Sequence, residues 1–260
     1  MMKLIATDLD NTLLTTKKEI TPYTIDVLRQ CLAKGICVVF ATARPARTLS
    51  AFAGGFAPDG LVLDNGAGVM CGREEIHRDS IDTATLAALI DSLKREPAIA
   101  TISIEAGHGV YTNYNGPPWG GGWNEIHMPY EAMTYEAVAA FDSTKVTVES
   151  GNMAVVQAIL KRFPALHMYG NTGEPWAQIM NRTATKANGL LALCTHWGIS
   201  LAEVVAFGDD ENDIDMLRIC GRGVAVANAI DECKAAANEV CGGLDEDGVA
   251  RWIAENILAG

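Results

Sequence analysis

Two acidic groups in this sequence each follow a short apolar run. Asp8 and Asp10 come after residues 3–7, and the hexapeptide Gly-Asp-Asp-Glu-Asn-Asp at 208–213 comes after residues 204–207. Carboxylates two residues apart at the end of a strand point to the same side of the chain. Crowding of like charges raises one pKa and leaves the other group ionised, which suits a nucleophile or metal ligand beside a proton donor. A pair of surface turn residues is the alternative.

The second acidic group is the stronger indication of a metal site. Its four carboxylates repel one another, and a divalent cation would relieve that repulsion. Oxygen ligands without histidine or cysteine select Mg²⁺ over zinc. The five histidines show no metal-ligand spacing. An acidic surface loop is the alternative.

Three further polar residues could bind an anion. Thr42 and Arg44 follow the apolar residues 36–41, and a hydroxyl, backbone N–H groups and a guanidinium after a strand can bind phosphate oxygens. Lys186 opens a predicted helix, where its charge is unfavourable beside the positive end of the helix dipole. An anion is therefore expected nearby. A capping threonine and solvated basic side chains are the alternatives.

The elements that would position these residues alternate between strand and helix. Strands are predicted at 3–7, 36–41, 60–64, 204–207 and 223–227, and helices at 22–34, 186–198, 214–219, 232–238 and about 248–258. Polar residues end each strand. This pattern indicates an α/β fold with an open parallel sheet, whose ligands bind at the carboxyl ends of the strands.

The middle of the chain has a different pattern. Strands are predicted at 101–104, 110–113, 145–149, 167–169 and 177–180, and helices at 83–95 and 153–163. We interpret residues 81–183 as an inserted second domain. The first domain would then be discontinuous, made of residues 1–80 and 184–260.

Composition narrows the classes of partner. The net charge of −12 over 260 residues repels phosphate backbones, so nucleic acid is not an expected partner. Seven scattered cysteines without a C-x-x-C pair are interpreted as reduced thiols. Neither a signal peptide nor an apolar stretch of membrane-spanning length is found. We expect a cytoplasmic protein, as a monomer or homodimer.

The order of the motifs is more specific than any one of them. A D-x-D-x-T at Asp8, a Thr-x-Arg at Thr42, the lysine at 186 and G-D-D-x-N-D at 208–213 resemble the haloacid dehalogenase (HAD) superfamily of phosphotransferases. The insertion resembles the cap of its Cof-like type IIB branch. Shorter motifs that also match the family pattern are Asn65-Gly66-Ala67, Asn228-Ala229 and Asp247-Gly248. The resemblance covers essentially the whole chain and implies a Rossmann-like parallel-sheet core with an inserted α/β (type C2B) cap domain.

The resemblance also implies a role for each matching residue. Asp8 would be the nucleophile that forms an aspartyl-phosphate, and Asp10 would protonate the leaving alkoxide and later activate water. The phosphate-binding set would be Thr42, Ala43, Arg44, Lys186 and Asn212. The Mg²⁺ ligands would be Asp8, the backbone carbonyl of Asp10 and Asp209, and Asp213 would support the metal either directly or through one of its ligands.

Two positions depart from the family pattern, because Asn11 and Ala43 stand where the family usually has glycine. Asparagine tolerates positive φ better than most residues. Ala43 would be strained only if its position required positive φ. Neither departure removes a catalytic group.

The substrate is expected to be a phosphate monoester of a small molecule. In capped relatives the cap side chains choose the leaving group and exclude water. Candidates for that role are Trp119, Trp123, His127 and Asn113. A sugar phosphate is favoured, and a nucleotide or a phosphorylated vitamin remains open.

Three alternative functions fit parts of the sequence. A nucleotide-cofactor enzyme would use the two glycines of residues 66–68, but no helical pattern begins there. A sugar phosphomutase would keep the same fold and transfer the phosphoryl group to a sugar. A non-enzymatic binding protein would have little need of Asp8, Asp10, Lys186 and Asp209.

Overall fold

A computed structural model of the chain describes residues 2–49, 55–106, 109–114, 125–170 and 175–259. Its strands are β1 (Leu4–Thr7), β2 (Cys37–Ala41), β3 (Gly60–Leu63), β4 (Gly68–Cys71), β5 (Glu74–Arg78), β6 (Ile99–Ala106), β7 (Gly109–Thr112), β8 (Glu125–His127), β9 (Ser143–Ser150), β10 (Leu166–Tyr169), β11 (Trp176–Asn181), β12 (Val204–Gly208), β13 (Arg222–Ala225) and β14 (Glu239–Val240). Its helices are α1 (Pro22–Ala33), α2 (Ala46–Leu49), α3 (Thr83–Lys94), α4 (Tyr135–Ala139), α5 (Met153–Leu160), α6 (Lys186–Trp197), α7 (Ile214–Ile219), α8 (Asp231–Ala236) and α9 (Gly248–Ile253).

The described chain divides into two compact units. The first contains Met1–Arg78 and Ala184–Gly260, and the second contains Asp79–Thr183. The predicted boundary after residue 80 lies two residues beyond the boundary of the first unit. Each unit has its own sheet and its own hydrophobic core.

The first unit is built on a sheet of order β14-β13-β12-β1-β2-β3-β4-β5. The strands from β14 to β3 are parallel. The apolar runs of β1 and β12 are fully buried because helices cover both faces of such a sheet. The chain runs outward from β1 in one direction through β2 and β3, and later in the other direction through β12 and β13. The sheet therefore has a topological switch point between β1 and β12, where ligands bind in open α/β folds.

The end of this sheet differs from the sequence prediction. β3 turns directly into β4, which is antiparallel to it, and β5 pairs antiparallel with β4. The turn consists of Asp64, Asn65 and Gly66, and φ is positive at all three. A strand, not a helix, follows these glycine-containing residues, which removes the structural basis of the nucleotide-cofactor alternative.

The second unit is a mixed sheet of order β10-β11-β9-β6-β7-β8, antiparallel except for the β7–β8 pair. Its core joins side chains of β6 and β9, such as Ile102 and Val148, to Leu86 and Leu89 of α3. The α/β fold class with a parallel-sheet core is confirmed. All seven cysteines are free. Among the residues that the structure describes, no helix has both the length and the apolar character needed to cross a membrane.

Gly189 gives a test of how α6 packs on the sheet. Alanine in place of glycine usually stabilises a helix interior by about 1 kcal/mol. Here a Cβ atom at residue 189 would lie 2.5 Å from Cγ1 of Val62 and 2.9 Å from Cα of Gly66. We predict that Gly189→Ala lowers the free energy of unfolding by about 1–3 kcal/mol, measured by urea denaturation.

The matched control is Gly151→Ala, where an added Cβ has nothing within 4 Å. That variant should be neutral or slightly stabilising. Equal stabilities for the two variants would contradict the close approach of α6 to the β3–β4 turn.

Candidate active site

Neighbouring strand ends bring Asp8 and Asp209 together. β1 and β12 pair in parallel with Thr7 opposite Phe207, so the next residues of both strands leave the sheet side by side. The backbone N–H of Asp8 donates to the carbonyl of Phe207 at 3.0 Å. Both carboxyl groups lie at the switch point of the sheet, where the sequence pattern predicted a ligand site.

Lys186 occupies the centre of this group. Its Nζ lies 2.7 Å from Oδ1 of Asp8 and 2.7 Å from Oδ1 of Asp213, and the side chain is 1% exposed. Burial acts to lower the pKa of Lys186, but the carboxylates of Asp213 and Asp8 outweigh it and raise that pKa. The lysine therefore remains an ammonium. The anions expected beside this helix start are carboxylates of the protein itself.

Asp213 holds the acidic loop in place. While its Oδ1 accepts from Lys186, its Oδ2 accepts from the backbone N–H groups of Asp209 at 3.0 Å and Asp210 at 3.2 Å. Gly208 is required just before this loop, because a Cβ there would overlap the Asp213 side chain. Both oxygens of Asp213 thus have protein partners, so this residue is better placed to orient Asp209 than to bind a metal directly.

The residues present fit a divalent cation. Ligand atoms of the buried Asp8, Asp209 and Asp213 all lie within 4.8 Å of one another. Against three carboxylates this group has a single ammonium, Lys186, so full ionisation leaves two uncompensated negative charges. Burial raises the pKa of Asp8 well above its ordinary value, although Lys186 opposes the shift. An added cation would offset the electrostatic cost of burying these negative charges.

Asp209 has its own hydrogen-bond donor. The hydroxyl of Thr12 donates to Oδ1 of Asp209 at 2.6 Å. Burial nevertheless raises the pKa of Asp209 to about 6, and the Thr12 bond acts in the opposite direction. The threonine of D-x-D-x-T therefore connects the first motif to the last.

Asp10 belongs to a separate cluster of charges. Its carboxylate accepts from Nε of Arg44 at 2.5 Å, from Nη2 of Arg44 at 2.7 Å and from Nζ of Lys18 at 2.9 Å. Burial acts to raise the pKa of Asp10, but the hydrogen bonds from Arg44 and Lys18 outweigh it and lower that pKa. Asp10 is therefore an ionised carboxylate in this arrangement, and Arg44 is directed to it.

Lys18 was not among the residues predicted for the site, and the residues around it in the sequence give little indication of a functional role. The residue has positive φ of 59° in a turn closed by its N–H donating to the carbonyl of Thr15 at 2.8 Å. A lysine is not the residue that a left-handed position suggests. From this turn the side chain reaches Asp10.

The predicted phosphate-binding residues of the second strand lie at its end. Thr42 is buried, and its hydroxyl accepts from the backbone N–H of Arg44 at 3.1 Å. Ala43 does not have positive φ, so alanine is unstrained there, while Asn11 has φ of 60°, which asparagine tolerates. The fifth predicted phosphate ligand, Asn212, donates from Nδ2 to Oδ1 of Asn65 at 2.8 Å.

The structure describes the four predicted cap residues to different extents. Trp119 and Trp123 lie outside the described residues, and His127 is described by its backbone, in β8. The Asn113 side chain binds the backbone of β6, accepting from Ile102 N–H at 2.7 Å and donating to the Ala100 carbonyl at 3.2 Å. Its amide therefore supports the sheet of the second unit.

Comparison with known proteins shows that the chain is similar to phosphatases over almost its whole length. Pyridoxal phosphate phosphatase YbhA of Escherichia coli strain K12 is 28% identical, with 98% of this chain and 99% of that protein covered. 5-Amino-6-(5-phospho-D-ribitylamino)uracil phosphatase YitU of Bacillus subtilis strain 168 is 27% identical, with 97% and 96% covered. Among solved structures, the HAD subclass IIB sugar phosphatase BT4131 has a TM-score of 0.80 at 24% identity over 98% of both chains, which shows a common fold.

A family model decides the assignment. The model described as haloacid dehalogenase-like hydrolase matches residues 5–253, which include most of both segments of the first unit and the whole of the second. The chain therefore belongs to the haloacid dehalogenase-like hydrolase family, as an enzyme of its phosphatase class.

Proposed function

We propose that this enzyme is a Mg²⁺-dependent phosphatase that releases phosphate from a small phosphorylated metabolite through a phosphoryl group held on Asp8. The buried Lys186 bridge between Asp8 and Asp213, with Asp209 beside it, is the observation that carries the proposal. It fixes one carboxylate oxygen of Asp8 and brings a permanent positive charge to the position where a phosphoryl group would meet the nucleophile.

The proposed reaction has two displacements. An Asp8 oxygen bonds to phosphorus while the bond from phosphorus to the ester oxygen breaks, and that oxygen takes a proton from Asp10. Water then attacks phosphorus and gives a proton to Asp10 while the bond between phosphorus and the Asp8 oxygen breaks. Inorganic phosphate is released and the Asp8 carboxylate is restored. Lys186 offsets the charge of the phosphoryl oxygens in both steps, and Thr42 and Asn212 are the proposed donors to them.

The proposed Mg²⁺ ligands are the carboxylates of Asp8 and Asp209 and the backbone carbonyl of Asp10, with Asp213 holding Asp209. When bound, the ion supplies Lewis-acid neutralisation of the phosphoryl oxygens. The charge of the buried acidic group favours a divalent ion, and its all-oxygen chemistry favours magnesium.

Asp10 as observed is in the state required for the second displacement. Its ionised carboxylate can accept a proton from water, but it must gain a proton before it can act as the acid of the first displacement. Loss of Arg44 or Lys18 as a partner would favour that protonation.

The substrate class is proposed from the chemistry of this site and from the named relatives. Pyridoxal phosphate and a phosphoribitylamino-uracil, in the names of two of these relatives, are both phosphate monoesters of small metabolites. A sugar phosphate remains the first proposal, with phosphorylated vitamins and nucleotides next. The inserted domain, with Trp119, Trp123 and His127, is proposed to select among them.

Asp8→Asn provides the decisive test. We expect a panel of sugar phosphates, nucleotides, pyridoxal phosphate and flavin mononucleotide to include a monoester that the wild type hydrolyses with Mg²⁺. Asp8→Asn should reduce that phosphate release by a factor on the order of 10⁴ or more, because an amide is not a nucleophile for phosphorus. Asp26→Asn, on the surface of α1, is the matched control.

Three outcomes would contradict this proposal. Phosphate release that survives Asp8→Asn would exclude Asp8 as the nucleophile. A requirement for a sugar bisphosphate with no net release of phosphate would favour a mutase. Inactivity toward the whole panel by a protein that binds Mg²⁺ would favour a binding protein.

The buried ion bridge leads to a stability prediction. Lys186→Met leaves Asp8 and Asp213 without their ammonium, so we expect loss of hydrolysis and a fall of about 3–5 kcal/mol in the free energy of unfolding. Lys3→Met breaks a solvent-exposed pair with Glu203 and should change stability by about 1 kcal/mol or less. Urea denaturation of both variants checks this, and equal losses would show that the bridge is not buried.

Mg²⁺ affinity should depend on pH. Because the pKa of Asp209 is raised to about 6, this group holds a proton below that pH in the metal-free protein, and Mg²⁺ must displace it. We expect the dissociation constant for Mg²⁺, measured by calorimetry, to increase as pH falls through about 6. Thr12→Val removes a bond that lowers the pKa of Asp209 and should move this transition to higher pH. A pH-independent affinity between pH 5 and 8 would contradict Asp209 as a ligand.

A further inference from the structure

The turn between β3 and β4 contains Asp64, Asn65 and Gly66, three consecutive buried residues with positive φ. We infer that this turn holds the active-site segments together, and that Asn65 is a positioning residue that fixes the side chain of Asn212. The inference rests on the proposed function, because Asn212 is the proposed contact to phosphate. Neither Asp64 nor Asn65 takes part in the bond-making steps proposed for the reaction.

The backbone of the turn is in an unfavourable conformation. The φ angles are 47° at Asp64, 56° at Asn65 and 102° at Gly66. A left-handed conformation is unfavourable for an L-residue, although Asn and Asp tolerate it better than most. Such strain persists when surrounding contacts determine it, and it is concentrated at functional sites.

Two of the three backbone N–H groups of the turn bind the segment that follows β2. The N–H of Asp64 donates to the carbonyl of Arg44 at 3.2 Å, and the N–H of Asn65 donates to the carbonyl of Thr42 at 3.0 Å. The position of Thr42 and Arg44 therefore depends on the path of this turn. These bonds use the main chain, so they remain when the Asn65 side chain is removed.

Gly66 places the turn against the start of α6. A Cβ at residue 66 would overlap the carbonyl of Thr185, the residue that caps α6 immediately before Lys186. Glycine is needed here both for its φ and for this close approach. The turn thus touches the segment that presents the buried lysine.

The side chain of Asn65 reaches the acidic loop. Its Oδ1 accepts from Nδ2 of Asn212 at 2.8 Å, across 147 residues of sequence, and Asn65 itself is 1% exposed. Because one N–H of the Asn212 amide is committed to Asn65, the direction of the rest of that amide is set. Asn65 therefore connects the turn to the loop that contains Asp209 and Asp213.

The test separates the side chain of Asn65 from its backbone. Asn65→Gly keeps the left-handed conformation and the N–H to Thr42 but deletes the bond to Asn212. We expect kcat to fall about 10–100-fold, as for misplaced active-site groups, with KM changed less than about threefold. Asn238→Gly, a control outside the site whose side chain accepts from the Gly223 N–H, should keep wild-type kcat, and thermal denaturation should show both variants folded at the assay temperature. Asn65→Ala should lose activity and also melt lower, because alanine is strained at positive φ.

A double-mutant cycle tests whether Asn65 acts through Asn212. If it does, Asn65→Gly combined with Asn212→Ala should lower kcat no further than Asn212→Ala alone. Independent effects would multiply, and that result would overturn the inference. Wild-type kcat in Asn65→Gly would overturn it as well.

A measurement that needs no substrate tests the link between Asn65 and Asn212 separately from the proposed function. The side-chain amide signal of Asn212 in an ¹⁵N–¹H NMR spectrum, identified by its loss in Asn212→Ala, should shift in Asn65→Gly and stay in place in Asn238→Gly. A wild type that hydrolyses nothing would contradict the proposed function, while this shift would still support the link. An unmoved Asn212 signal in Asn65→Gly would overturn it.

Discussion

The buried ammonium of Lys186 between Asp8 and Asp213 is the interaction on which the site depends. Each of these charges would be strongly unfavourable in the core without its partners, and removing one partner leaves the others unpaired. The end of β1, the loop after β12 and the first turn of α6 must therefore meet closely enough for Lys186 to lie 2.7 Å from both carboxylates. Glycine is needed at residues 208 and 66 for this reason, because a Cβ at residue 208 would displace Asp213 and a Cβ at residue 66 would displace Thr185.

The parallel sheet makes that meeting possible over long separations in sequence. Lys186 and Asp8 are 178 residues apart, yet each is fixed by local structure. Asp8 follows β1, whose register with β12 is set by main-chain pairing. Lys186 is the first residue of a helix capped by the Thr185 side chain, which accepts from the Asn188 N–H. An insertion of about a hundred residues between them leaves the site intact, because neither anchor lies within it.

Much of this arrangement was predictable, because strand ends and helix starts have strong local signals. Apolar runs ending in Asp8 and Asp209 predicted the strands, and their parallel order predicted one shared edge. The β3–β4 hairpin was missed, although Asn65-Gly66 between two apolar runs is a turn signal. The bonds of Asp10 to Lys18 and Arg44 were not predictable, because they depend on side-chain directions and on a left-handed lysine. Asn113 was proposed for substrate by its chemistry, which does not distinguish a ligand contact from a bond to the strand beside it.

The charged side chains of the candidate site form two groups, one with too little positive charge and the other with too little negative charge. Asp8, Asp209 and Asp213 have one ammonium among them and favour an added cation. Asp10 has two cationic partners, Arg44 and Lys18, and that group favours an added anion. The prediction that Arg44 binds phosphate and its observed bond to Asp10 are therefore compatible. A phosphoryl group that engaged the guanidinium would compete with Asp10 for it. Loss of that bond would raise the pKa of Asp10, which is the direction that a proton donor to the leaving group needs.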